Sequence, residues 1–211
     1  MVNLMQSFLK DESGLSMTES LMTIPIVIIL MGAMVEFGVM MNQFAQTAKA
    51  TQVGARLAAV SDPVASAAAM GALIADYPAN SQGDPAPDPG SSPVSVVCGA
   101  GAAACDTTEL ARLLTGGDGV CGQVTNGIRG ICDVAPFIAA ENIRVSYHRS
   151  GLGYIGRPDG PVATITVETR NLTFDFLILD RIITALTNIA IPAHPVSITS
   201  EDLSSCKGTC P

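Results

Sequence analysis

The sequence predicts an α+β protein in which a long N-terminal membrane helix packs on a small antiparallel β-sheet domain with disulfides. An apolar run of 22 residues, Ser20 to Met41, contains a single charged residue, Glu36. Two later segments alternate polar and apolar side chains, which is the period of half-buried β-strands. Six cysteines all follow the apolar run, which indicates that this part of the chain folds in an oxidising compartment.

The apolar run is long enough to cross a bilayer. At 1.5 Å per helical residue it spans about 33 Å, close to the thickness of a bilayer core. A secretory signal peptide would have a shorter apolar core, a basic front and a small-residue cleavage site after that core. Residues 1–14 contain one basic residue, Lys10, and no such site follows the run. We therefore expect a retained membrane helix, kinked where Pro25 removes a backbone hydrogen bond.

Two carboxylates mark the ends of this span. Glu19 lies near its beginning, where an unpaired carboxylate costs about 2.5–3.5 kcal/mol on insertion scales. It is therefore a candidate functional residue, although a position at the cytoplasmic interface, favoured by the helix dipole, would also explain it. Glu36 lies 17 residues further along, or about 25 Å along the helix axis. We expect Glu36 to mark the membrane exit, with its carboxylate in the external headgroups.

Charge and motifs exclude several classes of function. The chain has a net charge of −8, and beyond Ser61 it carries 15 acidic residues against 8 Lys and Arg. No basic patch exists to neutralise nucleic-acid phosphates. The sequence contains neither GxSxG nor HExxH, and the GGDG run at 116–119 lacks the ligand pattern of a calcium or phosphate loop. We expect no catalytic residue, no cofactor and no enzymatic activity.

The cysteines are expected to form disulfides. The simplest hypothesis joins neighbours along the chain: Cys98 with Cys105, Cys121 with Cys132, and Cys206 with Cys210. A metal site is the alternative. It is disfavoured because the sequence has no CxxC pair, and because its two histidines, His148 and His194, lie in a strand-like segment and between nearby prolines. We therefore expect no metal.

The chain is expected to divide into three parts. Residues 1–14 form a short cytoplasmic leader. A helix follows over 15–61, with its membrane span at about 20–41 and its outer half at 42–61, and at 1.5 Å per residue it is about 70 Å long. Residues 62–211 form a periplasmic α+β domain.

The first part of this domain is expected to be helical and loop-rich. An alanine-rich helix is predicted to begin at Pro63, because proline suits the first helical position. Residues 78–105 are dense in Pro, Gly and Ser and predict a loop that contains a short strand at 94–97. Asp106 to Glu109 has the spacing of a capping box, which predicts a helix that stops at Gly116.

The second part is expected to form the sheet. Alternation over 143–148 and over 162–170 predicts two strands of an antiparallel hairpin, and 195–200 reads as a third strand. The segment 174–191 is apolar, but it is too short and too charged for a second membrane span. We expect it to form a core helix, or a loop and a helix, over the sheet.

The N-terminal residues resemble a known processing signal. Gly14, the acidic Glu19 five residues later and the long apolar run are similar to the signal of type IV prepilins. The resemblance implies that a membrane prepilin peptidase cuts between Gly14 and Leu15, which makes Glu19 the fifth mature residue. It also implies that the Glu19 carboxylate pairs with the free Leu15 amine of a neighbouring subunit during assembly.

Further motifs resemble the TadE-like pseudopilins of the tight-adherence (Tad, or Flp) pilus system. These motifs are Pro25, the run Val35-Glu36-Phe37-Gly38 and the later Gly54-Ala55-Arg56, so the resemblance covers residues 12–60. One departure is Ser20, because major Flp pilins have Glu-Tyr at the corresponding pair and are far shorter. The resemblance therefore implies a minor pseudopilin with a pilin-like fold.

This resemblance also implies a function and a location. The expected role is to initiate or cap assembly of the Tad pilus, which serves adhesion and secretion. The expected partners are the prepilin peptidase, other pilins and pseudopilins, and the assembly platform of the bacterial inner membrane. The N-terminus would be cytoplasmic and the C-terminal domain periplasmic, with incorporation into a pilus at the cell surface as a further outcome. The alternative is a membrane-anchored periplasmic protein that binds a ligand or an envelope component and does not assemble.

Overall fold

A computed structural model shows an α+β chain with one long N-terminal helix and a small antiparallel sheet. It describes residues 13–78, 81–88, 90, 94–124, 127–157, 162–174, 176, 179–182 and 189–200, with the backbone alone at 13–16, 180 and 182. Helix α1, Ser13–Ala59, has 47 residues and continues on both sides of Pro25. The long helix predicted from the sequence is therefore present.

The C-terminal half of α1 packs through small side chains. Its buried positions recur every three or four residues, at Thr47, Ala50, Thr51, Ala55 and Ala58. This spacing places them on one face of the helix. The two buried threonine hydroxyls donate to carbonyl oxygens in the preceding turn of α1, so they need no partner from the core. Because these side chains are small, the sheet domain can approach the helix backbone closely.

Gly54 lies on the same face and permits the closest approach. A Cβ atom at this position would lie 2.7 Å from Cδ1 and 2.8 Å from Cγ1 of Ile131. Ile131 is fully buried, and Val167 of the sheet lies next to it at 3.5 Å from the same point. Any side chain at position 54 would therefore force the core and the helix apart.

The main sheet has four antiparallel strands. They are β1 Ser95–Gly99, β2 Ile143–Arg149, β3 Ala163–Thr169 and β6 Val196–Thr199, in the order β1-β2-β3-β6. In β3 the buried positions alternate with half-buried ones, as the polar and apolar alternation predicts. In β2, Tyr147 pairs with Ile165 of β3, and both side chains are fully buried. The predicted three- or four-stranded sheet is confirmed.

The helix expected to start at Pro63 is shorter than predicted. Helix α2 covers Ala67–Met70 and continues as a 3-10 turn, Gly71–Ile74, with Ser66 as its N-cap. The reason is tertiary: the carbonyl of Val64, which would accept a hydrogen bond within a helix that began at Pro63, accepts instead from the N–H of Asp106 at 2.8 Å, and the N–H of Val64 donates to the hydroxyl of Tyr147 at 2.8 Å. Burial raises the pKa of Tyr147 to about 12, so this phenol stays neutral at physiological pH.

Helix α3, Thr107–Thr115, agrees closely with the prediction. The Asp106 carboxylate accepts hydrogen bonds from the N–H groups of Thr108 and Glu109, and Gly116 ends the helix in the left-handed conformation with φ 72°. The N–H of Asp106 itself donates to the carbonyl of Val64 at 2.8 Å. The N-cap therefore also links α3 to the segment that follows α1.

The remaining elements are short. They are helix α4 Ile131–Val134, strand β4 Thr173–Phe174, helix α5 Leu179–Ile182 and strand β5 Ile189–Ala190, with β4 and β5 paired in a separate two-stranded sheet. A 3-10 turn, Ala140–Asn142, leads into β2.

The chain divides into two compact units. One contains Met1–Asn42 and Phe174–Ile189, and the other contains Gln43–Thr173 and Ala190–Pro211. The division falls inside α1 and groups the connection between β4 and β5 with the N-terminal half of this helix. The prediction that this segment forms a core helix, or a loop and a helix, over the sheet stays a prediction. Among its described residues, Phe176 and Leu179 contact α1.

We predict that Gly54→Leu lowers the free energy of unfolding by about 1–3 kcal/mol, because the new side chain overpacks the contact with Ile131. The matched control is Gly38→Leu, in the same helix, where a Cβ atom would meet nothing within 4 Å. Denaturant unfolding of the full chain in detergent micelles measures both. Ile131→Ala should restore part of the loss in the Gly54→Leu background. Equal stability of the two glycine variants would contradict the assigned packing.

Candidate functional site

The candidate functional site is the apolar surface of the N-terminal half of α1. Large apolar side chains along this half are 40–77% exposed: Met17, Leu21, Met22, Ile24, Ile26, Val27, Ile28, Ile29, Leu30, Met31, Met34, Val35, Phe37, Val39 and Met41. A continuous exposed surface of this kind indicates contact with lipid or with another apolar surface. By length and composition, the helix from Met17 to Ala59 is long and apolar enough to cross a membrane.

This exposure runs around the whole circumference of the helix. Every residue from Met17 to Met31 is exposed, so no face of this stretch is reserved for the rest of the described chain. A helix of a soluble core would bury one stripe and expose the opposite one. The surface is therefore suited to an environment that is apolar on all sides, which both a bilayer and a bundle of similar helices provide.

The residues of the predicted processing signal lie at the start of α1. Gly14 and Leu15 belong to its first turn, and Glu19 follows about one turn later with an exposed side chain. The hydroxyl of Thr23 donates to the backbone carbonyl of Glu19 at 2.7 Å. This bond does not involve the Glu19 carboxylate. The roles of Gly14, Leu15 and Glu19 in cleavage and pairing stay predictions.

Glu36 has a partner that sequence reasoning missed. Its side chain is 7% exposed, and its Oε2 accepts a hydrogen bond from the backbone N–H of Leu179 at 3.1 Å. The sequence predicts that the Glu36 carboxylate lies in the lipid headgroups, whereas in the structure it is buried against protein. Its role as the membrane exit stays a prediction.

Aromatic contacts accompany this hydrogen bond. The ring of Phe37 packs edge-on against Phe176, with centroids 5.7 Å apart, and Phe176 packs against Phe174 at 4.8 Å. The partners of Glu36 and Phe37 lie about 140 residues later in the chain, so no local pattern predicts them. The one available signal is the apolar FDFLIL run, which begins at Phe174.

The cysteines that the structure describes agree with the short-range hypothesis. Cys98 and Cys105 lie at disulfide-bonding distance, as do Cys121 and Cys132. The third predicted pair, Cys206 and Cys210, lies outside the described residues. Among those that are described, no cluster of three or more His, Cys, Asp and Glu side chains has the geometry of a metal site. His194 packs edge-on against Phe44, with centroids 4.3 Å apart.

An ion pair of the sheet domain has a structural explanation. Arg149 of β2, with its side chain 4% exposed, bonds the carboxylate of Asp76, and its guanidinium lies 5.7 Å from the ring centre of Tyr77. It also donates to the carbonyl of Leu73 at 3.5 Å. The hydrogen bond from Arg149 lowers the pKa of Asp76. These contacts hold the turn after α2 on the sheet, and they give the buried charge of Arg149 a structural explanation.

Comparisons with protein-family models, with curated proteins and with solved structures find no match. The functional assignment therefore depends on the N-terminal motif and on the exposed apolar surface of α1.

We predict that the Asp76–Arg149 pair makes folding sensitive to acid. Because the folded pKa of Asp76 is below its ordinary value of 3.8, the carboxylate stabilises the fold above that pH. This contribution disappears as the pH falls through the lower, folded pKa. Denaturant midpoints measured from pH 7 to pH 3 should fall less steeply for Asp76→Asn than for the unchanged protein. The control is Asp84→Asn, at an exposed carboxylate outside this pair, which should keep the original slope. Identical slopes for both variants would contradict the prediction.

Proposed function

We propose that this chain is a minor pseudopilin of a Tad-type pilus, processed by a prepilin peptidase and used to initiate or cap assembly. The observation that carries the proposal is the combination of the Gly14 and Glu19 motif with an apolar helix that is exposed on every side. The motif specifies where the chain would be cut. The exposed apolar surface suits a mature helix that lies in lipid or in a bundle of similar helices.

The physical logic concerns the transfer of α1 between two apolar environments. Each Å² of apolar surface moved into water costs about 25 cal/mol, so a helix with this exposure does not leave lipid for water. It leaves lipid when neighbouring helices cover the same surface. The apolar circumference is complete from Ile24 to Met31 and supports a helix of this kind, because both lipid and a helical bundle surround a helix with apolar groups.

Glu19 would select the register of that bundle. A carboxylate among apolar side chains is costly unless it is paired. Cleavage after Gly14 creates a positive amine at Leu15, one turn away along the helix. The amine of one subunit and the Glu19 carboxylate of the next would neutralise each other only when the two helices are displaced by the correct amount.

The outer part of the chain supports a minor rather than a major subunit. Its C-terminal unit has a four-stranded sheet and two cysteine pairs at bonding distance, which suits folding in an oxidising periplasm. Ser20 replaces the tyrosine of major Flp pilins. The proposed partners are therefore the prepilin peptidase, the other subunits of the pilus and the inner-membrane assembly platform.

We predict that the mature protein begins at Leu15. Intact mass measurement of protein purified from membranes should show the loss of residues 1–14. Gly14→Val should retain them, because the peptidase signal needs the glycine, whereas Gly38→Val in the same helix should be cut normally. A mature chain that starts at Met1 would contradict the proposal and would favour a membrane anchor that does not assemble.

We predict that Glu19→Ala is cut normally but enters the assembled filament at least about tenfold less, because an ion pair in an apolar bundle contributes more than about 1.4 kcal/mol. Sheared filaments and membranes are compared by immunoblot. Glu12→Ala removes a carboxylate from the part that is discarded, and it should leave incorporation unchanged. Normal incorporation of the Glu19 variant would remove this residue from its proposed role.

A further inference from the structure

Two residues in the connection between β4 and β5, Phe176 and Leu179, contact α1 at a level where the helix is still apolar. The connection includes α5, and with the last residue of β4 and the first of β5 it covers the sixteen residues from 174 to 189, of which ten are apolar. Phe174, Phe176 and Leu179 are 6%, 2% and 5% exposed. Phe176 packs on Phe37, and the N–H of Leu179 donates to Glu36. The connection is thus fastened to the helix by a polar contact and an aromatic one.

The surface of α1 around Glu36 indicates the environment at this level. Val35, Phe37, Val39 and Met41 are 67%, 45%, 46% and 63% exposed, and they lie on both sides of Glu36 along the axis. At 1.5 Å per residue, these four side chains start within about 9 Å of one another. If lipid covers the preceding apolar residues, it must also reach this level, because otherwise these four side chains would face water.

The hydrogen bond between Glu36 and Leu179 suits an environment with little water. The first N–H groups of any helix have no partner within that helix. In lipid, such groups must be satisfied by the protein itself. The Glu36 carboxylate supplies an acceptor at the first residue of α5, and in return the buried carboxylate gains a donor.

We propose that the described part of this connection, Phe176 and helix α5, is a membrane-surface segment, which lies in the lipid–water interface beside α1 and is positioned there by Glu36. The exposed Arg181, in the last turn of α5, would then reach the lipid phosphates. The partner is the bilayer itself. This inference rests on the membrane anchoring in the proposed function, and it adds a second point of membrane contact.

The absence of tryptophan from the sequence provides a direct test. Single tryptophans are introduced as Arg181→Trp in the segment, Met31→Trp in the apolar half of α1, and Arg129→Trp at an exposed site of the other unit. Each full-length variant is reconstituted in phosphatidylcholine vesicles with and without brominated acyl chains, which quench nearby tryptophan. Both arginine variants replace the same residue type by tryptophan, which itself prefers the membrane interface. A difference in quenching between them therefore reports how close each site lies to the lipid.

We expect quenching for Met31→Trp and Arg181→Trp and none for Arg129→Trp. Quenching of Met31→Trp without quenching of Arg181→Trp would overturn this inference and leave membrane anchoring intact. Equal quenching of Arg181→Trp and Arg129→Trp would also overturn this inference, because α5 would then be no closer to lipid than an exposed site of the other unit. No quenching of Met31→Trp would overturn the anchoring, and with it both proposals.

The positioning role of Glu36 has its own test in the Arg181→Trp background. Glu36→Ala removes the acceptor of the Leu179 N–H, and quenching should be lost. Glu36→Gln keeps an acceptor oxygen and should retain it, as should Glu19→Ala, which removes a carboxylate elsewhere on α1. Circular dichroism and non-reducing mass measurement verify folding in each variant. Unchanged quenching in Glu36→Ala would overturn the positioning role.

Discussion

The exclusion of water from the surface of α1 is the constraint on which the rest of the structure depends. Its two halves meet this constraint differently. In the C-terminal half, small residues between Thr47 and Ala58 are covered by the sheet domain. In the N-terminal half, large apolar residues stay exposed and require lipid or other helices. One continuous helix thus serves as the core of a domain and as the proposed membrane anchor.

The choice of side chains follows from this division. A core formed around Gly54 and alanines brings the helix backbone close to Ile131 and Val167. Because the approach is close, a small sheet can cover this half of the helix although the core contains few aromatic residues. Leu, Ile and Met in the other half give a thick apolar surface. The two carboxylates differ in the same way. Glu36 is satisfied within its own chain, by Leu179, whereas the exposed Glu19 is suited to a partner supplied by another subunit.

The polar chemistry of the sheet domain serves its folding. The neutral hydroxyl of Tyr147 fixes the backbone of Val64, and Arg149 holds the turn that contains Leu73 and Asp76. These interactions fix the segment that follows α1 against β2. The proposed function accordingly depends on the helix, while the domain would determine which surface a subunit presents in the proposed assembly.

Elements whose cause is local could be predicted from the amino-acid sequence. Hydrophobic period and length predicted α1 and the strands β2 and β3, Asp106 and Gly116 predicted the ends of α3, and neighbouring cysteines predicted two pairs. The late start of the helix after Pro63 could not be read from the sequence, because the backbone groups of Val64 bond to Tyr147, 83 residues away, and to Asp106. Tertiary structure also determines that Phe176 and Leu179 contact α1. That choice depends on Glu36 and Phe37, and a periodic pattern records how much apolar surface a segment has, but not which distant surface covers it.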